Sequence, residues 1–125
     1  MSVTPSYRET FLGEARAALD TLDLALTGKD GGQMRSARAS LHSLKGAAAA
    51  FGMMELAQMA AGSAGLCDAV VDKRDEPDAL DLLARARDVM TAHLDDPRRA
   101  EADVRALLAD LRVRAPGALD APGGP

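Results

Sequence analysis

Tryptophan is absent, and Tyr7, Phe11 and Phe51 are the only aromatic residues among 125. A core must therefore be filled by alanine, leucine and methionine, which pack as close helices more readily than as a sheet. β-Branched residues are few and scattered, and no apolar/polar alternation persists for more than a few positions, which excludes a strand-built domain. The fold class expected is all-α. A single cysteine, Cys67, excludes an internal disulfide and suits a reducing cytoplasm. No apolar run approaches the ~20 residues of a membrane span, and the N-terminus lacks a basic-then-apolar signal pattern. The expected location is the cytoplasm, with no membrane partner. The 15 basic residues are outnumbered by 19 acidic ones, a net charge of −4. That balance leaves no basic face to displace counterions, so nucleic acid is excluded as a partner.

Catalytic signatures are missing too. Gly31-Gly32 lacks the following Lys-Ser/Thr and the preceding strand of a phosphate loop. Neither His42 nor His93 has a second histidine or cysteine three or four residues away to make a metal pair. The carboxylates are spread along outer helix faces rather than paired. No catalytic centre, metal site or cofactor is expected within the chain.

What the chain does contain is helical periodicity. Thr4-Pro5 announces a first helix, with Phe11, Ala15, Ala18, Leu22 and Ala25 as its stripe and Leu12, Leu19 and Leu26 widening it. Glu9, Glu14, Asp20 and Asp23 form its solvated side. Gly28 closes it and Lys29-Asp30-Gly31-Gly32 reads as a turn. A second helix from about Gln33 to Phe51 is ended by Gly52. A third opens after Met53-Met54, with Leu56, Met59, Ala60, Ser63, Leu66, Cys67 and Val70 inward. Gly62 and Gly65 inside it mark either close approach by a neighbour or a loose segment. Asp75 or Glu76 caps a fourth helix, with Pro77 in its first turn. Its face is Leu80, Leu83, Arg87, Met90 and Leu94, and His93 near its end suits the helix dipole as a cation. Asp95-Asp96-Pro97 starts a fifth helix carrying Ala100, Val104, Leu107, Leu108 and Leu111. The expected architecture is an antiparallel up-down-up-down four-helix bundle with an additional C-terminal helix. Residues 1–114 form one domain, and 115–125 are a flexible Gly/Pro-rich tail or linker.

The most informative stretch runs from Leu41 to Gly52. Met34, Ala37, Leu41, Leu44, Ala48 and Phe51 recur at steps of three and four as one apolar face. Arg38, His42, Lys45 and Ala49 follow the same rhythm about 100° further round, at the margin of the buried stripe. An exposed imidazole there keeps a nucleophilic lone pair near neutral pH. Lys45 is one turn on, and Arg38, one turn back, offers a second cation. Gly46 costs ~1 kcal/mol against alanine in a helix interior without structural return.

His42-Ser43-Leu44-Lys45-Gly46, with Gly52 six residues on, resembles the phosphoacceptor helix of histidine-containing phosphotransfer (HPt) domains. It is most similar to the N-terminal domain of chemotaxis histidine kinases, and the likeness covers roughly residues 6 to 113. The resemblance implies that His42 is phosphorylated, that Lys45 stabilises the phosphoryl group, and that Gly46 gives clearance to a partner. Arg38 and Ala49 belong to the docking face it implies. It also implies two partners: a histidine kinase catalytic domain, which holds the ATP and magnesium, and the receiver domain of a chemotaxis-type response regulator, whose aspartate takes the phosphoryl group. The function expected is phosphotransfer in a two-component, chemotaxis-type system. The alternative is a helical adaptor docking to the same partners without being phosphorylated. One departure stands out. The chemotaxis pattern carries a histidine and an imidazole-orienting glutamate 19 and 22 residues after the phosphorylated histidine; here those positions are Ala61 and Ala64. Ser63, Gln58 and Glu55 are the polar substitutes within reach of that region.

Overall fold

The computed structural model describes residues 6–28, 31–73 and 76–114. Five α-helices make up this part of the chain: α1 (Tyr7–Gly28), α2 (Gly31–Ala50), α3 (Met54–Val71), α4 (Glu76–Asp95) and α5 (Pro97–Arg114). The expected starting signal at Thr4-Pro5, the residues Lys29-Asp30 and Asp75, and the tail from 115 lie outside the described residues.

The apolar stripes read from the sequence are the core. Phe11, Ala15, Ala18, Leu19, Leu22 and Ala25 of α1 are buried, as are Met34, Ala37, Leu41, Leu44 and Ala48 of α2. Each fully buried leucine contributes about 1.5–3 kcal/mol, so this stripe holds α2 far more firmly than its intrinsic propensity does. Gly52 has φ +81°, the left-handed conformation that ends a helix cheaply only at glycine. Asp96 accepts a hydrogen bond from the Arg99 amide (3.3 Å), which caps α5 ahead of Pro97.

Ion pairs report how the helices run. On α1 and α4, Arg16 donates to Asp95 (2.8 Å) while Arg87 bonds Asp23, so early residues of one helix meet late residues of the other. The α4–α5 pair repeats the pattern through Arg85–Asp110 and Arg114–Asp78. Neighbouring helices are antiparallel, and α1 closes the bundle against α4. The fifth helix lies along α3 and α4, burying Ala100, Val104, Leu107, Leu108 and Leu111.

This placement makes α3 the enclosed helix, touched by α2, α4 and α5. Ten of its residues are buried, including Ala57, Ala61, Gly62, Ser63 and Ala64. Gly62 is a close-approach glycine: a Cβ there would sit 2.9 Å from a methyl of Leu111 on α5.

Four expectations need correction. Gly31 and Gly32 are the first turn of α2 rather than a loop, because packing of α2 along α1 and α3 outweighs weak local propensity. Phe51 is 41% exposed; it lies just past the helix end and stacks on Phe11 (centroids 4.9 Å apart) instead of entering the core. On α4, Ala79 takes the buried place while Leu80 and Arg87 are half-buried, and Arg87 spends its charge on Asp23 and Asp88. His93 is buried, 6% exposed, and burial pushes its pKa below 6.5, so it does not serve as a dipole-facing cation.

Candidate functional site

The α2 backbone turns about 100° per residue, so the helix that buries Leu41, Leu44 and Ala48 must carry His42, Lys45 and Ala49 to its margin. His42, Gly46 and Ala49 are exposed there, and Lys45 is half-buried. No side chain or backbone group among the described residues hydrogen-bonds the His42 ring. An added Cβ at Gly46 would meet nothing within 4 Å. The glycine is therefore not required by packing; it leaves open surface one turn beyond the histidine. In a helix, side chains lean toward the N-terminus, so Lys45 leans back toward His42 and His42 leans over the turn that holds Arg38. The candidate residues do share one face.

Arg38 is not a free cation. Its guanidinium donates to Asp68 of α3 (2.9 Å), and that hydrogen bond is the main cause raising its pKa, with Asp72 adding to the field. The two side chains are 44% and 39% exposed, so the bridge is well hydrated and contributes little to stability.

The bridge sets the register of the antiparallel α2–α3 pair. Counting away from Arg38 and Asp68 in steps of four, three and four, His42 comes opposite Ala64, Lys45 opposite Ala61 and Ala49 opposite Ala57. All three alanines are buried, Ala64 completely. The helix opposite His42 thus offers methyl groups where the chemotaxis pattern has a histidine and a glutamate. These alanines let α2 and α3 pack closely; a longer side chain at 64 would have to force the seam apart or run out along it.

None of the three polar substitutes replaces the missing acid. Ser63 is fully buried with its hydroxyl unpaired, on a different face of α3 from Ala64. Glu55 acts on His93, raising a pKa that burial lowers more strongly. Gln58 is half-buried and makes no hydrogen bond to the ring. The nearest acid on the Ala57–Ala61–Ala64 stripe is Asp68, one turn further along. Sequence reasoning missed it: the acid that ends the alanine stripe is legible in the sequence, but its place across from Arg38 follows only from the register of the two helices.

Elsewhere the thiol of Cys67 is fully buried, and burial pushes its pKa up to about 12, which leaves it an inert core residue. Among the described residues no group of three or more histidine, cysteine or carboxylate side chains is arranged to hold a metal ion. No helix there is long and apolar enough to cross a membrane.

No curated protein and no solved structure matches the chain. A family model does: the Hpt domain, matched over residues 6–113, which takes in all five helices except the last residue of α5. An antiparallel helical bundle with an exposed histidine at the middle of its second helix is in keeping with that match. The chain belongs to the Hpt domain family, the phosphotransfer modules of two-component signalling.

Proposed function

We propose that His42 is the phosphoacceptor of this domain. A ring nitrogen attacks the γ-phosphorus of ATP held, with magnesium, by a histidine kinase catalytic domain; the P–O bond to ADP breaks as the N–P bond forms, and the ring proton goes to solvent. In the second step a carboxylate oxygen of a response-regulator receiver attacks the same phosphorus. The N–P bond breaks and the imidazole recovers a proton. The chain's own residues supply the surface for both steps. Lys45 leans toward the incoming charge of about −1.5 to −2, by analogy with phosphorylated hydroxyls, and offsets part of it. Gly46 keeps the approach clear, while Ala49 and Arg38 extend the docking face. A chemotaxis-type kinase and receiver, working in the cytoplasm, are the partners that the His-Ser-Leu-Lys-Gly motif favours.

The observation that carries this reading is the exposed, unbonded His42 beside a glycine with open space above it. Incubation with a histidine kinase and γ-labelled ATP tests it. Acid-labile, alkali-stable label that disappears in His42→Gln is the expected result. Docking without label would instead identify a non-phosphorylated adaptor.

A further inference from the structure

We infer that Arg38 is a phosphoryl-positioning residue for His42 and that Asp68 controls its availability, an inference that rests on His42 being the phosphoacceptor. Three observations carry it. Arg38 and His42 are four residues apart on α2, which places their Cβ atoms about 5–6 Å from each other. The His42 ring leans over the turn that bears Arg38, so a group added to the ring comes within reach of the long guanidinium side chain. Finally, Arg38 is held by a hydrated bridge to Asp68 on the neighbouring helix, with Asp72 adding to the field there.

A phosphoryl group on His42 brings nearly twice the charge of a carboxylate and three acceptor oxygens. The guanidinium fork suits such an oxyanion at least as well as it suits Asp68. Arg38 therefore divides its time between two acceptors: Asp68 when His42 is bare, and the phosphoryl group once it is there. The position opposite His42 is Ala64, which holds no acid, so this exchange involves the nearest charged pair on the α2–α3 seam. Asp68 acts as a competitor. Removing it frees Arg38 from its bridge and shifts it toward the phosphohistidine, with the Asp72 charge still in the field.

Phosphoramidate serves as donor, because it needs no partner protein. Its P–N bond breaks as the imidazole N–P bond forms, and the ring proton leaves with ammonia. The readout is the equilibrium fraction of phosphorylated protein, by ³¹P NMR, for the wild type, Arg38→Ala, Asp68→Asn and the double variant. The expected changes in the phosphorylation equilibrium constant are about two- to five-fold: down in Arg38→Ala and up in Asp68→Asn. In the Arg38→Ala background, Asp68→Asn should have little effect. A merely structural bridge would give losses of the same sign in both single variants. Through-space charge alone would let Asp68→Asn raise phosphorylation with or without Arg38. Either outcome overturns the inference. No phosphohistidine signal on the wild type, or one that survives His42→Gln, overturns the phosphoacceptor reading beneath it.

Discussion

Two histidines in one small bundle show how much surroundings decide a residue's chemistry. His42 stands on the margin of an amphipathic helix with nothing bonded to it, whereas His93 is packed away with an unpaired Nδ1. Burial holds the pKa of His93 below its ordinary 6.5, and the Glu55 charge opposes this only in part. The unfolded chain binds a proton more readily at this position, so His93 is a source of acid instability. Its contribution is harmless above pH 6.5 and grows as the pH falls through that value toward the folded pKa. Denaturant titrations across this range are expected to show a gentler pH slope for His93→Gln than for the wild type; identical slopes would count against the assignment. The periodicity of α2 was enough to place His42 correctly. For His93 it was not, because burial there comes from neighbouring helices whose positions a single helix's pattern does not carry. Asp68 escaped for a similar reason, since pairing across two helices requires their register.

Glycines distinguish the helices as elements. Gly13 and Gly46 are exposed helical positions where an added methyl meets nothing within 4 Å, while the methyl of Gly62→Ala collides with Leu111. Chemical denaturation should find Gly13→Ala and Gly46→Ala each more stable, by up to ~1 kcal/mol. Gly62→Ala gains the same propensity but loses about 1–3 kcal/mol to overpacking, a net loss of up to ~2 kcal/mol. The first two variants separate in function: kinase-driven phosphorylation should slow in Gly46→Ala and stay unchanged in Gly13→Ala. Equal rates in the two would remove the clearance role from Gly46. The sequence offered two explanations for Gly62, close approach or a loose segment, and contact with α5 selects the first. Elements were legible because every apolar stripe repeats at helical period. Their ends were less so, as Gly31-Gly32 and Phe51 show, because end geometry depends on which neighbour the helix meets.

For the whole molecule, α5 is the element whose role a four-helix reading leaves open. It covers the side of α3 and α4 away from α1 and α2, and Val104, Leu107, Leu108 and Leu111 are buried by doing so. Losing their burial costs on the order of 6–12 kcal/mol, comparable to the ~5–15 kcal/mol that holds a domain together. A chain ending at Asp96 should therefore lose its cooperative thermal transition and associate as concentration rises; a sharp transition in a monomeric truncation would show that four helices suffice. The small side chains of α3 have another consequence, one of surface relief. Helix axes approach to about 8 Å rather than 10 Å where the contacts are small, and Ala57, Ala61 and Ala64 run along that seam beneath α2. The ground beside His42 is low, and no neighbouring side chain on that stripe rises to the height of the ring. The same methyl groups that withhold a hydrogen bond widen the cone of approach to the ring, and on the proposed role of His42 that is room for two differently shaped active sites to come in from different bearings.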